Sequence, residues 1–480
     1  MISMLKQIFL MFPLLILSFS IILNLFIIIC KRDFFLSFLV TFSGLFGAFF
    51  SYVLFTKSVN THLKCFLFSK SFSVFYIFLF FLGSISTCVI SYIWLRSKSF
   101  NKEEFYLLLL ISNIGSYLLF LSNNIFSFFI GIELLSFPLF GMMSYNSSKN
   151  FKNLESAFKY FILSSISSIF LLLGIALIYL SSGILDFFLL KSFSFSLSKS
   201  LNLLFLFGLI FSCISLFIKI VVFPFYLWIP DIYEGNSLPV LIYLSNSIKT
   251  VLFIILLKLF FLFSNKNFIF FTSTLKIISI FSVFLGSILA LFQKNFKRLI
   301  GYTTLINSGY LIIIAMFLCK NNSYQDVSKI YFFGYFLNSL VLFSSMHLLS
   351  ILFVDKNSYS FESYKGCFWK SKILSISIII SLLSMIGFPL TIGFFGKFYL
   401  LKLIIEKFNI LFGLSVIFES VIGIFYYLNF IKLFFYRPKK ESFQIFLKET
   451  ILYKFLKIII FLCSLLIVFI GIFPNFFLSI

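Results

Sequence analysis

Four ionisable residues stand inside long apolar runs: Glu133 in FSFFIGIELLSFPLF, Lys219 in ISLFIKIVVFPF, Lys249 in LIYLSNSIKTVLFIILL and Lys397 in MIGFPLTIGFFGKFYLL. At the centre of a membrane helix such a group costs at least about 2.5–3.5 kcal/mol, so its presence there points to a function. Desolvation drives a buried lysine towards its neutral form, and a nearby carboxylate drives it back. Moving the carboxylate, or its charge, therefore switches the lysine. Alternating Lys and Glu joined by water can pass protons stepwise across a membrane. Among further candidates, Glu155 and Lys159 stand at i and i+4 and Glu419 lies in LSVIFESVIGIFYYL, while His347 is one of only two histidines.

Each of these residues has a plainer reading beside the functional one. A lysine near a helix end usually extends its ammonium to the headgroups, which accounts for Lys258, Lys276 and Lys402 and remains open for Lys397. Glu133 could be a carboxylate satisfied by a neighbouring helix for structure alone. Glu155 and Lys159 could be an ordinary helix pair of a few tenths of a kcal/mol. His347 reads equally well as a satisfied core histidine. Glu419 is expected to pair with Lys397 and hold it charged.

The elements that must position these residues are membrane helices. The chain has 480 residues, 61% of them hydrophobic and only 11% charged, with a mean hydropathy of +1.12. A water-soluble body carries about 25% charged residues, so the bilayer must be the solvent. Windows of about 20 apolar residues predict fourteen spans near 7–30, 34–55, 72–95, 104–121, 124–144, 155–181, 200–224, 238–263, 272–292, 299–319, 328–352, 372–402, 409–436 and 453–477. The odd-numbered loops, from Lys31-Arg32 to Arg437 and Lys439, carry about twice the positive charge of the even ones, which predicts an N-terminus outside. Pro224 and Pro389 lie beside Lys219 and Lys397. Proline breaks or kinks a helix, and broken helices mark ion sites in transporters built from inverted repeats.

Other functions are excluded on composition and spacing. The net charge of +23 is scattered between apolar runs rather than gathered on one face, which disfavours nucleic acid and fits loops near anionic lipid. The seven cysteines, Cys65 and Cys319 among them, form no CxxC pair, so no metal or iron–sulfur site is expected. With 79 Phe and 3 Trp, the composition fits an AT-rich organellar or reduced bacterial genome. The first apolar run is too long for a signal peptide, and no Arg-rich presequence precedes it.

Five segments occur in order: GIELLSFPLF at 131–140, ESAFKYFILSS at 155–165, FIKIVVFPFYLWIPDIYEGNSLPV at 217–240, NFKRLIGYTTLINSGYLI at 295–312 and IGFPLTIGFFGKFYLL at 386–401. Together they resemble the antiporter-like subunit 2 family of NADH:ubiquinone oxidoreductase, respiratory complex I, of mitochondrial type. The resemblance implies an all-α polytopic fold of about fourteen transmembrane helices in one transmembrane domain. Its parts would be N-terminal helices over 7–95, inverted five-helix repeats over 104–263 and 272–436, and a last helix over 453–477, with the seventh and twelfth helices broken. It further implies a proton relay over Glu133, Lys219, Lys249 and Lys397. FMN, iron–sulfur clusters and ubiquinone would sit in partner subunits, and the partners would be other membrane-arm subunits and the bilayer, cardiolipin included. The expected place is the mitochondrial inner membrane, with the chain encoded in the organelle. A bacterial or plastid complex and a stand-alone Mrp-type cation/proton antiporter remain as alternatives. Asn307 departs from the family, which often has His or Gln there, and Asn cannot titrate. The central link would then rest on water and hydroxyls such as Thr303, or on His347.

Overall fold

Helices account for nearly all of the chain because lipid leaves each backbone N–H and C=O to find its partner within its own segment. The computed structural model describes residues 2–58, 70–98, 101–145, 151–193, 199–262, 269–318, 324–351, 359–406, 409–437 and 451–474. Cys65, Cys319 and Lys439 fall outside the described residues. The helices are α1 (Ile2–Cys30), α2 (Phe34–Ser58), α3 (Lys70–Arg96), α4 (Glu103–Leu121), α5 (Ile125–Ser144), α6 (Phe151–Ser182), α7 (Phe187–Phe193), α8 (Lys199–Ile220), α9 (Ile229–Gly235) and α10 (Leu238–Ile242). A π turn, Tyr243–Ile248, leads into α11 (Lys249–Leu262), followed by α12 (Ile269–Leu291), α13 (Phe296–Leu318), α14 (Gln325–Ser350), α15 (Cys367–Lys370), α16 (Lys372–Ile386), α17 (Ile392–Glu406), α18 (Ile410–Phe434) and α19 (Ile451–Ile472).

Thirteen of these stretches are long and apolar enough to span a membrane. The span predicted over 372–402 is divided into α16 and α17, each of 15 residues, or about 22 Å and too short to cross alone. The span predicted over 200–224 stops earlier than expected. Helix α8 ends at Ile220, and turns over 221–228 carry Pro224 before α9 begins. Pro389 lies between α16 and α17. At both interruptions a residue other than glycine takes a left-handed backbone, Val221 at φ 68° and Leu390 at φ 70°. Such conformations cost on the order of 1–3 kcal/mol and persist only where the surroundings hold them.

The chain packs as two compact units, Met1–Ile220 with Gly235–Phe268, and Val221–Glu234 with Ile269–Ile480. In the first unit, α6 and α8 meet closely enough that a Cβ on Gly174 would lie 2.7 Å from the Gly208 carbonyl oxygen. Small residues permit such contact between membrane helices. The stretch Leu238–Leu262 is buried throughout its most apolar window and forms that unit's centre. In the second unit, α13 and α14 are the most buried spans.

Candidate functional site

Within the first unit, α5 presents Glu133, the last turn of α8 presents Lys219 and α11 opens at Lys249. Lys219 Nζ and Glu133 Oε1 are both buried and neither has a hydrogen-bond partner among the described residues. The two groups therefore form no closed ion pair with each other. Lys249 is 7% exposed and follows the π turn, a helix irregularity that recurs at functional sites. The polar run read ahead of it as YLSNS is that π turn. It brings hydroxyls to the lysine's approach: Ser112 donates to the Tyr243 hydroxyl at 2.8 Å and Ser247 to the Phe80 carbonyl at 3.4 Å. Glu155 and Lys159 form an i,i+4 ion pair of 2.6 Å with side chains 61% and 38% exposed.

Lys258 corrects an expectation. Instead of reaching out to headgroups it is buried, and Nζ donates to the carbonyls of Leu119, Phe120 and Ser122, each at 2.8 Å. The last carbonyls of a helix lack intrahelical partners and form the negative end of its dipole. Lys258 therefore caps α4, a role hidden in the sequence because the capped residues lie far away along the chain.

In the second unit the break between α16 and α17 aims Lys397 inward. Lys397 Nζ donates to Glu419 Oε2 on α18 at 2.7 Å and to the Ile386 carbonyl, freed at the end of α16, at 3.0 Å. The same carboxylate oxygen accepts from the Tyr310 hydroxyl of α13 at 2.8 Å. The pair is well shielded, with side-chain exposures of 14% for Lys397 and 4% for Glu419. The Gly393 N–H donates to Ser384 Oγ at 3.1 Å across the break.

A cavity of about 40 Å³ opens beside this pair, and Asn307, Tyr310, Asn338, Lys397 and Glu419 are among its walls. Asn307 accepts from the Tyr331 hydroxyl at 2.8 Å, and Thr303, also in the wall, donates back to its own helix at Ile300. His347 is buried on α14 but does not line this cavity, so the hydroxyl beside Asn307 is that of Tyr331.

One charged cluster went unread in the sequence. Arg298 reaches Asp231 at 3.2 Å and Glu234 at 3.3 Å, and Ser308 donates to the Val221 carbonyl. These contacts fasten the stretch after α8 onto α13. Lys297 is buried with Nζ 3.7 Å from the centre of the Tyr359 ring. The signal was present in PDIYEG and NFKRLIGY, as two short segments of opposite charge in an apolar chain. Among the described residues no cluster of three His, Cys, Asp or Glu could hold a metal ion.

Paired lysines and carboxylates at two interrupted spans are the frame against which relatedness can be judged. Residues 122–423 match the family described as NADH:quinone oxidoreductase/Mrp antiporter, TM. The chain is 37% identical over 442 residues, 92% of its length and 90% of the relative's, to NADH-quinone oxidoreductase subunit N of Buchnera aphidicola subsp. Acyrthosiphon pisum. The chain belongs to the antiporter-like subunit N family. A second member, from Buchnera aphidicola subsp. Schizaphis graminum, is 39% identical over 82% of this chain and 81% of its own.

The subunit N fold recurs in solved structures. A chain of respiratory complex I from Thermus thermophilus superposes with a TM-score of 0.78 at 22% identity, covering 96% of this chain and 97% of that one. A chain of the Mrp complex from Dietzia sp. DQ12-45-1b gives a TM-score of 0.80 at 14% identity, covering 98% and 96%. These likenesses speak for the fold alone. Both subunit N relatives are bacterial, so the expected mitochondrial type and organelle location gain no support. Within this family's frame, Lys219 with Glu133 and Lys397 with Glu419 are groups able to take up, hold and release a proton inside the membrane.

Proposed function

We propose that this chain is a proton-translocating membrane subunit of a bacterial NADH:quinone oxidoreductase, with other membrane subunits of that complex as its partners. Protons are carried by Glu133, Lys219 and Lys249 in the first unit and by Lys397 in the second, while NADH is oxidised and quinone reduced in partner subunits. The observation that carries this reading is the buried Lys397–Glu419 pair of 2.7 Å at a helix interruption. Burying two charges is costly even when they are paired, and a fold that needed only stability would be served by apolar residues. The Lys219–Glu133 pairing without direct contact supports the same reading, because an open pair responds to small shifts of either helix. Anionic lipid, cardiolipin in particular, is the headgroup chemistry suited to the chain's positive loops.

Lys219→Met in the intact complex is the direct test. Proton pumping per NADH oxidised should fall while the complex still assembles; unchanged pumping would leave the chain a membrane scaffold. An Mrp-type antiporter would instead copurify without any NADH-oxidising subunits.

A further inference from the structure

Glu419 lies outside the five segments that carry the family resemblance, yet its carboxylate is buried and doubly bound. Its Oε2 holds Lys397 Nζ at 2.7 Å and receives the Tyr310 hydroxyl at 2.8 Å. Three groups able to carry protons therefore meet at one oxygen: an ammonium on α17, a carboxylate on α18 and a phenol on α13. In chain order, α18 stands after the interrupted α17 as α11 stands after α8. The second unit thus places a carboxylate where the first places Lys249.

Beside this oxygen lies the cavity of about 40 Å³. A water needs roughly 10–15 Å³ of such space and two to four polar partners, so two or three waters fit. The wall supplies the partners. Asn338 is 3% exposed and its Oδ1 has no hydrogen-bond partner among the described residues, which is the mark of a group that water satisfies.

We propose that Glu419 is a proton-carrying group of the second unit, and that Tyr310 delivers its proton from water in the adjoining cavity. This rests on the relay described above and deepens it. The transfers balance as follows. Tyr310 passes its hydroxyl proton to Glu419 Oε2, and the phenol oxygen takes a replacement from protonated cavity water. With Glu419 neutral, the ion pair holding Lys397 is gone, and Nζ yields a proton to water at the α16–α17 break, where the Ile386 carbonyl stands. The neutral amine then takes the proton from Glu419 Oε2, 2.7 Å away, and the ion pair closes again. One proton has passed from water beside Tyr310 to water beside Lys397 at the break, and each group is as it began. The groups facing Glu419 throughout are Lys397 from α17, Tyr310 from α13, Tyr331 from α14 and Tyr426 and Tyr427 from its own helix.

The test uses the assembled complex in sealed membrane vesicles, with protons pumped per NADH measured across pH for five variants. Glu419→Gln keeps the shape and removes the charge; Tyr310→Phe removes one oxygen and keeps the ring. Both are expected to lower the proton-to-NADH ratio as Lys397→Met does and to change its pH profile, and Glu419→Gln combined with Lys397→Met should be no worse than either alone. A purely structural role for Glu419 would lower the amount of complex and leave the ratio and profile of the surviving complex intact. Wild-type ratio and profile in both Glu419→Gln and Tyr310→Phe, against a lowered ratio in Lys397→Met, overturn the inference and leave the relay standing. An unchanged ratio in Lys397→Met and Lys219→Met removes the relay itself.

Discussion

Gly393→Ala sets two physical effects of opposite sign against each other. Gly393 lies in the first turn of α17, one turn before Lys397. On helix propensity alone, alanine is favoured there by about 0.5–1 kcal/mol. The packing opposes it. A Cβ at this position would lie 2.7 Å from the Ser384 carbonyl carbon and 2.8 Å from Ser384 Oγ, and would overlap the Ser384 carbonyl oxygen. Relief requires α16 and α17 to separate at the break by about 1 Å, which also removes the Gly393–Ser384 hydrogen bond, worth about 1 kcal/mol. Overpacking of this kind costs typically about 1–3 kcal/mol.

Because Lys397 moves with its helix, the ion pair would lengthen from 2.7 Å to about 3.7 Å, losing about 2 kcal/mol at an effective dielectric near 20. Packing therefore outweighs propensity, and Gly393→Ala should destabilise the chain by roughly 2–4 kcal/mol. If the pair must be closed for each proton to pass, pumping should fall by more than tenfold, since 1.4 kcal/mol is a factor of ten. The measurements are a denaturation midpoint of the complex in detergent and proton pumping in vesicles. Gly413→Ala is the control: its Cβ would meet only Ile404 Cγ2, at 3.8 Å, and both quantities should stay at wild type. A Gly393→Ala complex with wild-type midpoint and pumping would refute the claim that the break is tightly packed and sets the Lys397 geometry.

Lys258→Met should cost about 3 kcal/mol or more, because three carbonyls at the end of α4 lose their donor in the protein interior; no change in denaturation midpoint would restore the headgroup reading. Glu155→Gln should shift stability by less than about 0.5 kcal/mol, the range of exposed i,i+4 pairs, and a loss several times larger would mean that partner subunits bury the Glu155–Lys159 pair.

The spans, apart from the divided 372–402, and the buried ionisable residues were legible because both depend on local composition. An apolar run of about 20 residues identifies a membrane helix wherever it occurs, and a lysine or glutamate inside it stands out against that background. The partner of Glu419 could be read too, since Lys397 lies on the preceding helix. Lys258 was misread because its capped carbonyls lie on a helix far back in the chain. Tyr310 was passed over because one tyrosine among 23 carries no signal until the fold sets its hydroxyl on a carboxylate. The π turn before Lys249 left no mark in the hydropathy, which does not change when a helix adds a residue to one turn. The early end of α8 was also invisible, because Ile220, Val221 and Val222 continue the apolar run and only Pro224 marks the interruption.

The two lysine–carboxylate pairs differ in a way that bears on what can drive each of them. Lys219 Nζ has no hydrogen-bond partner among the described residues, so the cost of its buried charge is offset only by a carboxylate that does not touch it. Coulomb attraction varies inversely with distance, so a movement of Glu133 on α5 changes its hold on a charged Lys219. Lys397 is bound at two points, by Glu419 and by the Ile386 carbonyl. A comparable shift of one helix would stretch those bonds before it freed the lysine, whereas a proton on Glu419 removes the attraction at once. The first pair is thus suited to respond to movement and the second to protonation.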